Sequence, residues 1–137
     1  MTGQYAHNID AKGRLFIPAR LREELGQTFH VTIGMDHCLS IYSNESWDAF
    51  MEKLRELPYS KAKALRVLSA NAQDVQVDAQ GRILLPKHLL TYASLEKEAL
   101  VLGAGNRAEI WNPAEYEKDV GDMDADAVEA AFVSLGF

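Results

Sequence analysis

The sequence predicts an α+β fold, in which two tandem repeats of a small β-rich unit form one pseudo-symmetric domain with helices attached. The main observation is that Asp10–Leu25, DAKGRLFIPARLREEL, recurs 68 positions later from Asp78 as DAQGRILLPKHLLTYA. Short apolar runs typical of strands surround both stretches, and segments with helical spacing lie between them. Because one repeat is too small to bury a core of its own, we expect the two repeats to pack on each other.

Each repeat is predicted to contain the same elements in the same order. A strand (QYAHNI, then DVQV) enters the turn DAxGR, and a short apolar strand follows (LFI, then ILL). Pro18 or Pro86 then opens a short helix at its first position, where the missing N–H loses no intrahelical bond. Leu21 and Leu25 share one face of the first of these helices, and Gly26 ends it. A strand (FHVTIG, then ALVLGAG), a turn and a last strand (CLSIY, then AEIW) complete each repeat.

A helix is predicted to follow the first repeat. The segment SNESWDAFMEKLREL has Trp47, Phe50 and Leu54 at helical spacing, which favours a role in the core over a role in ligand binding. Ser46 or Asn44 is expected to cap this helix, because both residue types accept hydrogen bonds from free amides at a helix start.

A second connecting helix and an acidic C-terminal segment are predicted next. SKAKALRVLSANA is expected to be helical, with Ala64, Leu65 and Leu68 as its apolar side. PAEYEKDV, starting at Pro113, predicts a helix at the end of the second repeat, and DADAVEAAFVSLGF is weakly helical and is expected to be frayed or dependent on a partner. The predicted divisions are 1–57, the first repeat with its following helix; 58–73, the connecting helix; 74–120, the second repeat; and 121–137, the acidic tail.

The composition is that of a globular protein, with 47% hydrophobic and 25% charged residues among 137. No apolar run approaches the roughly 20 residues that span a bilayer, and Cys38 is the sole cysteine, which excludes an internal disulfide. We therefore expect a cytoplasmic protein that does not enter a membrane.

The charge is unevenly distributed along the chain. The net charge is −6, yet residues 115–137 alone carry seven acids and one base, so residues 1–114 are neutral overall. Residues 10–22 have a net charge of +3, whereas the matching residues 78–90 have a net charge of +1. The first repeat is therefore expected to be the stronger contact to an anionic partner, and the second to be a weaker contact or mainly structural.

The repeated loops, DAKGR and DAQGR, admit a structural and a functional interpretation. An aspartate followed three positions later by a glycine is common in hairpin turns. The carboxylate accepts hydrogen bonds from nearby backbone amides, and glycine adopts the positive φ that the turn needs. Such a turn does not need an arginine, yet Arg14 and Arg82 occur at matching positions. A guanidinium group binds guanine or phosphate in bidentate fashion, and a nearby carboxylate can hold it in orientation. The pattern therefore favours contact with double-stranded DNA.

With these motifs the chain resembles the MraZ family of bacterial regulators, whose fold belongs to the AbrB/SpoVT-type swapped-hairpin DNA-binding group. The resemblance lies in GQYAHNIDAKGRLFIPARLRE, in the two Asp-x-x-x-Arg loops, and in IYSNESW and IWNPAEY. It implies a pseudo-symmetric swapped-hairpin β-barrel from two tandem AbrB/SpoVT-like repeats, with added helices. It also implies a nucleoid-associated transcription factor that binds direct repeats upstream of its own division and cell-wall operon, as a ring-shaped homo-oligomer.

The candidate DNA-binding residues combine this resemblance with the charge pattern. The family's Asp-x-x-x-Arg loops face DNA, which implies that role for Asp10 and Arg14 and for Asp78 and Arg82. Basic residues in or beside the loops complete the predicted set, which is Asp10, Lys12, Arg14, Arg20, Arg22, Asp78, Arg82 and Lys87.

The alternatives to a DNA-binding protein are an enzyme and a protein-interaction module. An enzyme is disfavoured, because the four histidines and Cys38 form no recognised metal or nucleophile motif and no phosphate-binding glycine loop occurs. We accordingly expect no metal, cofactor or small-molecule substrate. An antitoxin-like or protein-interaction module of the same fold group stays open as an alternative, since the acidic segment from Glu115 could bind a protein.

Overall fold

The computed structural model describes residues 1–120 and 124–137, and its architecture is α+β, as predicted. Residues 121–123 of the predicted tail lie outside the described part. The described strands are β1 Gln4–Asn8, β2 Arg14–Phe16, β3 Thr28–Ile33, β4 Leu39–Ser43, β5 Gln73–Gln76, β6 Arg82–Leu84, β7 Glu98–Gly103 and β8 Ala108–Trp111. The described helices are α1 Ala19–Leu25, α2 Asn44–Arg55, α3 Tyr59–Ala70, α4 Lys87–Tyr92, α5 Pro113–Asp119 and α6 Ala125–Ser134.

The strands form one large sheet and one short ribbon. Six strands pair antiparallel in the order β1-β7-β8-β4-β3-β5, and β2 pairs antiparallel with β6. A bridge between Ile9 and Leu15 joins the ribbon to the end of β1. β1 and β5 are the edges of the six-stranded sheet, so strand pairing leaves that sheet open.

The two repeats exchange their first strands. β1 of the first repeat pairs with β7 of the second, with Ala6 opposite Leu100. β5 of the second repeat pairs with β3 of the first, with Val75 opposite Phe29. Each repeat thus completes the sheet of the other, which is how two units too small for separate cores bury a shared one.

The short ribbon supplies the centre of that core. Leu15 and Ile83 face each other across it and are 0% and 1% exposed. Truncating a leucine buried to this degree costs about 2–5 kcal/mol of unfolding free energy. Both predicted helix residues, Leu21 and Leu25, are buried in the same cluster. The two repeats therefore share one core that is centred on their pseudo-symmetry axis.

The starts of the helices differ slightly from expectation. Pro18 lies one position before α1 and accepts the first helical hydrogen bonds through its carbonyl, instead of being the first helical residue. The cap of α2 is Ser43, whose hydroxyl accepts the amide of Ser46 at 3.1 Å, so the prediction of Ser46 or Asn44 was wrong. Asn44 is already helical, and its side-chain amide donates to the hydroxyl of Thr28 instead.

Two helices leave apolar side chains in solvent. On α3, Ala64 and Leu65 are exposed and only Leu68 is half-buried, so its predicted apolar side is packed in part. The segment from Asp124 does form a helix, α6, and every residue of it is exposed. None of the described helices combines the length and the apolar character needed to cross a membrane.

Candidate nucleic-acid interface

The first loop, Asp10–Arg14, is a turn organised by one carboxylate. Oδ1 of Asp10 accepts the amides of Lys12 at 3.0 Å and Arg14 at 2.9 Å. Oδ2 of Asp10 accepts Nε of Arg14 at 2.6 Å. Gly13 closes the turn with φ at 85°, and its amide donates to the Asp10 carbonyl at 3.0 Å. Asp10 therefore stabilises the turn and also orients the arginine, so the structural and the functional interpretation of this motif are compatible.

The second loop, Asp78–Arg82, repeats this geometry. Oδ1 of Asp78 accepts the amides of Gln80 and Arg82, each at 2.9 Å, and Oδ2 accepts Nε of Arg82 at 3.0 Å. Gly81 again has a positive φ, 81°. Gln80 adds an acceptor 3.4 Å from Nη2 of Arg82, at the position where the first loop carries Lys12. The two arginines are thus presented in the same way by both repeats.

Both aspartates are held in the ionised form at neutral pH. The amide of Arg14 is the largest cause that lowers the pKa of Asp10 below its ordinary value, and the Arg14 guanidinium lowers it further. The amide and the guanidinium of Arg82 lower the pKa of Asp78 in the same order. Hydrogen bonds to a carboxylate favour its charged form, so the orienting contacts persist throughout the neutral range.

The ribbon brings both arginines to one outer face. Residues opposite each other across an antiparallel pair share a face, and β2 pairs Arg14 with Leu84 and Phe16 with Arg82. These four side chains therefore lie on the face opposite the buried residues of the ribbon. The side chains of Arg14 and Arg82 are 34% and 29% exposed, so they are partly held and partly open to solvent.

Leu84 is a member of this outer face that the sequence analysis missed. It is 58% exposed, which is unusual for a leucine in a strand of the central ribbon. The available signal was the period of two along a strand, which places Leu84 on the same face as Arg82, although the run of three apolar residues from Ile83 does not itself mark Leu84 as exposed.

The two loops adjoin each other. Nη1 of Arg82 lies 3.8 Å from Oδ2 of Asp10, which already accepts Nε of Arg14. The carboxylate of the first loop therefore lies within ion-pairing distance of both arginines. The two Asp-x-x-x-Arg motifs form one continuous surface, which we call the two-loop surface.

The antiparallel pairing of β2 with β6 places Arg22, on the helix that follows β2, beside the second loop. The guanidinium carbon of Arg22 lies 3.1 Å from the position that a Cβ on Gly81 would occupy. Nε of Arg22 donates to the carbonyl of Ile17 at 2.7 Å, and the group lies 5.4 Å from the ring centroid of Phe16. The net charge of +3 counted over residues 10–22 includes Arg22, so part of the charge expected beside the first loop lies beside the second.

The first loop has the complementary neighbours from the second repeat. Leu90, at the position that matches Arg22, would be 3.4 Å from a Cβ on Gly13. Glu96, Lys97 and Glu98 line a shallow groove together with Asp10, so the second repeat contributes a net charge of −1 there. The first loop therefore combines its own Lys12 with nearby acids, and the difference in charge between the two loops is smaller than their sequences suggest.

The other predicted basic residues lie in the solvent around these loops. Lys12 is exposed at the tip of the first loop, Arg20 is exposed on α1, and Lys87 is exposed on α4. Helix α1 approaches the second loop through Arg22, and α4 approaches the first through Leu90. Each loop is therefore flanked by a helix from the other repeat.

The residue types that commonly bind metals or act as nucleophiles form no site in the described residues. Within the described residues, no three His, Cys, Asp or Glu side chains are grouped so that they could hold a metal ion. Cys38 is buried, and burial raises the pKa of its thiol to about 12. The ring of His7, on β1, packs with its centroid 4.9 Å from that of Phe16 on the ribbon.

The exchanged strands and the paired loops define a duplicated α+β protein whose two repeats share one fold and one type of site. The MraZ family model, described as "MraZ protein, putative antitoxin-like", matches this chain twice, over residues 1–70 and 68–131. The chain therefore belongs to the MraZ family, and the internal duplication expected from the sequence is confirmed.

Curated relatives are similar over most of their length. A protein of Carboxydothermus hydrogenoformans is 49% identical over 113 residues, which cover 80% of this chain and 79% of the relative. One from Desulfitobacterium hafniense strain Y51 is 44% identical over 140 residues, or 98% of this chain and 97% of the relative. One from Heliobacterium modesticaldum is 49% identical over 119 residues, or 85% and 83%. Each of the three is named Transcriptional regulator MraZ.

Proposed function

We propose that this chain is a sequence-specific transcriptional regulator that binds double-stranded DNA through the two-loop surface. The observation that carries the proposal is the pair Arg14 and Arg82, each oriented by its own aspartate on one exposed face. The relatives named as transcriptional regulators support the class of function. In this role the chain is a regulator without catalytic activity, cofactor or small-molecule substrate.

The chemistry of an oriented arginine suits base recognition. Arginine binds O6 and N7 of guanine in the major groove with two hydrogen bonds, and each such pair contributes about 1–3 kcal/mol of discrimination. Arg14 and Arg82 are diagonal neighbours on the ribbon, a relation that corresponds to roughly 7–8 Å between positions. The major groove is about 12 Å wide and admits a two-stranded ribbon, so both arginines can enter it together.

The remaining members of the surface suit supporting roles. Lys12, Arg20, Arg22 and Lys87 are basic and can contact phosphates, which adds affinity without reading sequence. Leu84 is exposed opposite Arg14 on the same face and offers an apolar contact to a thymine methyl group. Asp10 and Asp78 position the arginines and do not themselves contact DNA.

The finer parts of the proposal follow from the family resemblance. They are a target of direct DNA repeats upstream of the chain's own division and cell-wall operon, a nucleoid-associated location in the cytoplasm, and a ring-shaped homo-oligomer. The exchanged strands support a swapped-hairpin barrel formed by the ribbon and the large sheet. A ring would let several subunits engage spaced DNA repeats together, which raises affinity through effective concentration.

A gel shift with DNA from upstream of the chain's own operon tests the function. We expect a retarded complex with this DNA that a shuffled sequence of equal length competes poorly. Arg14→Ala and Arg82→Ala should weaken this complex, and Arg55→Ala serves as their control for loss of one positive charge, because Arg55 is exposed on α2. Equal binding to upstream and shuffled DNA would contradict sequence-specific regulation.

Two observations favour the antitoxin-like alternative. The family description contains that term, and α6 leaves apolar side chains exposed that a different protein could cover. This alternative predicts no preference for the upstream DNA in the same gel shift. It also predicts that removal of residues 121–137 abolishes partner binding while the fold survives.

A further inference from the structure

We infer that α6 of one subunit docks in an apolar groove between α2 and α3 of a second subunit. This inference rests on the proposed homo-oligomer and names the surfaces that form it. It is drawn from a groove without an occupant, an exposed helix of matching character, and the charges of both.

The groove lies between α2, α3 and one end of the large sheet. Its volume is about 490 Å³, and its apolar lining includes Ile33, Tyr42, Phe50, Leu65 and Leu68. Leu65 is 37% exposed, although it points into this groove. An apolar cleft of this size between two helices is the usual receptor for an amphipathic helix.

Helix α6 has the pattern that such a groove accepts. Ala125, Val128, Phe132 and Leu135 follow one another at spacings of three and four, which places them on one side of a helix. Val128 and Phe132 are 51% and 52% exposed, and Leu135 is 73% exposed. An apolar stripe left in water in this way is typical of an element that folds against a partner.

The charges of the two surfaces are complementary. The charged residues that line the groove are Lys53 and Arg107, both basic. Helix α3 adds three bases and no acid, and α6 with its cap carries three acids and no base. Helix α2 carries three acids and two bases, but the charged residue that it contributes to the groove lining is Lys53. The bases of α3 are Lys61, Lys63 and Arg66, and the acids of α6 and its cap are Asp124, Asp126 and Glu129. An acidic helix therefore suits this groove better than a neutral or basic one.

The contact is assigned to two subunits because each surface is open within one chain. Every residue of α6 is exposed, so the helix does not occupy the groove of its own subunit. A helix on one surface that enters a groove on another makes a head-to-tail contact, and such contacts close into rings when the rotation allows.

Two variants that each disable one side of the contact provide the test. Phe132→Asp places a charge on the apolar stripe of α6, and Leu65→Glu places one in the groove. Ala130→Asp and Val67→Glu are the matched controls, because they add the same charges to the same helices away from the stripe and the groove. Light scattering gives the mass of each protein, and thermal melting verifies that each is folded.

We expect the parent and both controls to share one oligomeric mass, and Phe132→Asp and Leu65→Glu to be monomers. Mixed together, the two variants should form a 1:1 dimer and nothing larger, because one retains an intact groove and the other an intact helix. Variants that keep the parent mass, or a mixture that stays monomeric, would overturn the docking. A monomeric parent would overturn it too, since the helix would then bind within its own chain or to a different protein.

Binding to a single DNA repeat separates this inference from the proposed function. Phe132→Asp leaves the two-loop surface unchanged, so it should bind one DNA repeat with unchanged affinity and bind a multi-repeat site at least tenfold more weakly. A variant that keeps the oligomer and binds upstream DNA normally contradicts the docking alone. A parent without preference for upstream DNA contradicts the regulator, whatever its mass.

Discussion

At the residue scale, one carboxylate in each loop links folding to presentation of an arginine. Oδ1 of Asp78 holds the backbone of the turn, and Oδ2 holds the guanidinium of Arg82. The same division of roles occurs at Asp10 in the first loop. Because one side chain does both, loss of the carboxylate should disturb the turn and the arginine together.

The pH dependence of stability should report this carboxylate. The folded-state pKa of Asp78 is lowered from its ordinary value of 3.8, so its ionised form stabilises the fold at neutral pH and this contribution is lost as pH falls through the folded-state pKa. We expect Asp78→Asn to melt below the parent by a margin that is constant above about pH 5 and narrows below pH 3.8. Asp48→Asn, on the surface of α2, is the control for loss of an exposed aspartate. A margin independent of pH down to acid unfolding would contradict the ionised turn.

The two arginines should contribute comparably to DNA affinity. Arg14→Ala and Arg82→Ala should each weaken binding roughly 5- to 150-fold per engaged subunit, since each removes one bidentate contact. The loss at Arg82 should be at least as large as that at Arg14, because Arg22 lies beside the second loop. Melting temperatures should move by only about 2 °C, as for other surface substitutions. Titration of labelled upstream DNA measures the affinities. If Arg82→Ala bound DNA like the parent, the first loop would be the stronger DNA contact, as the net charges of the two sequences predict.

At the element scale, the short ribbon of β2 and β6 brings the two loops together and places α1 and α4 beside them. The order of elements, the positions of the strands to within two residues and the buried pair Leu21 and Leu25 could be predicted, because they depend on local periodicity and turn residues. The exchange of strands could not, since a repeat shows that two units are alike and does not show which unit each strand pairs with. The pairing of β2 with β6 was not predictable for the same reason, so Arg22 was counted with the first loop although it lies beside the second. The division of the chain at 57, 73 and 120 stays a prediction.

The exposed helices show the same limit. The predicted apolar side of α3 packs only in part, because helical spacing shows which residues share a face and does not show what that face contacts. The cap of α2 was missed for a different reason, since Ser43 ends a strand and starts a helix at the same residue.

The junction of loop and ribbon can be tested at Gly13. A Cβ there would lie 3.0 Å from the carbonyl oxygen of Leu85, and φ is 85°. We expect Gly13→Ala to lower the unfolding free energy by about 1–3 kcal/mol, from backbone strain and from displacement of the second repeat. Gly105→Ala is the control, because Gly105 has φ at 79° with open space around it. Urea unfolding measures both, and equal losses would indicate that the close approach to Leu85 contributes nothing.

At the scale of the whole molecule, an acidic protein is proposed to bind a polyanion. The net charge of −6 resides in residues 115–137, whereas the proposed DNA surface lies on the ribbon and on α1 and α4. Docking of the acidic α6 against the basic α3 of a neighbour would neutralise part of this charge within the oligomer. Assembly and DNA binding should therefore favour each other.

The salt dependence of DNA binding should scale with the number of subunits engaged. Each phosphate contact contributes about −0.9 to the slope of log affinity against log salt concentration. Four contacts, from Lys12, Arg20, Arg22 and Lys87, give a slope of about −3.6 for one subunit on one DNA repeat. A site with several DNA repeats should give a proportionally steeper slope, measured by titration between low and moderate salt. A flat dependence on either DNA would exclude phosphate contacts as a main source of affinity.

Footprinting of the purified protein on the DNA upstream of its own operon tests the central claim most directly. The account predicts protection of short segments at regular spacing, and loss of that protection in Arg14→Ala/Arg82→Ala under conditions where Arg55→Ala protects like the parent. A folded double variant that leaves the same footprint as the parent would show that DNA is bound elsewhere, and the two Asp-x-x-x-Arg loops would then be structural turns alone.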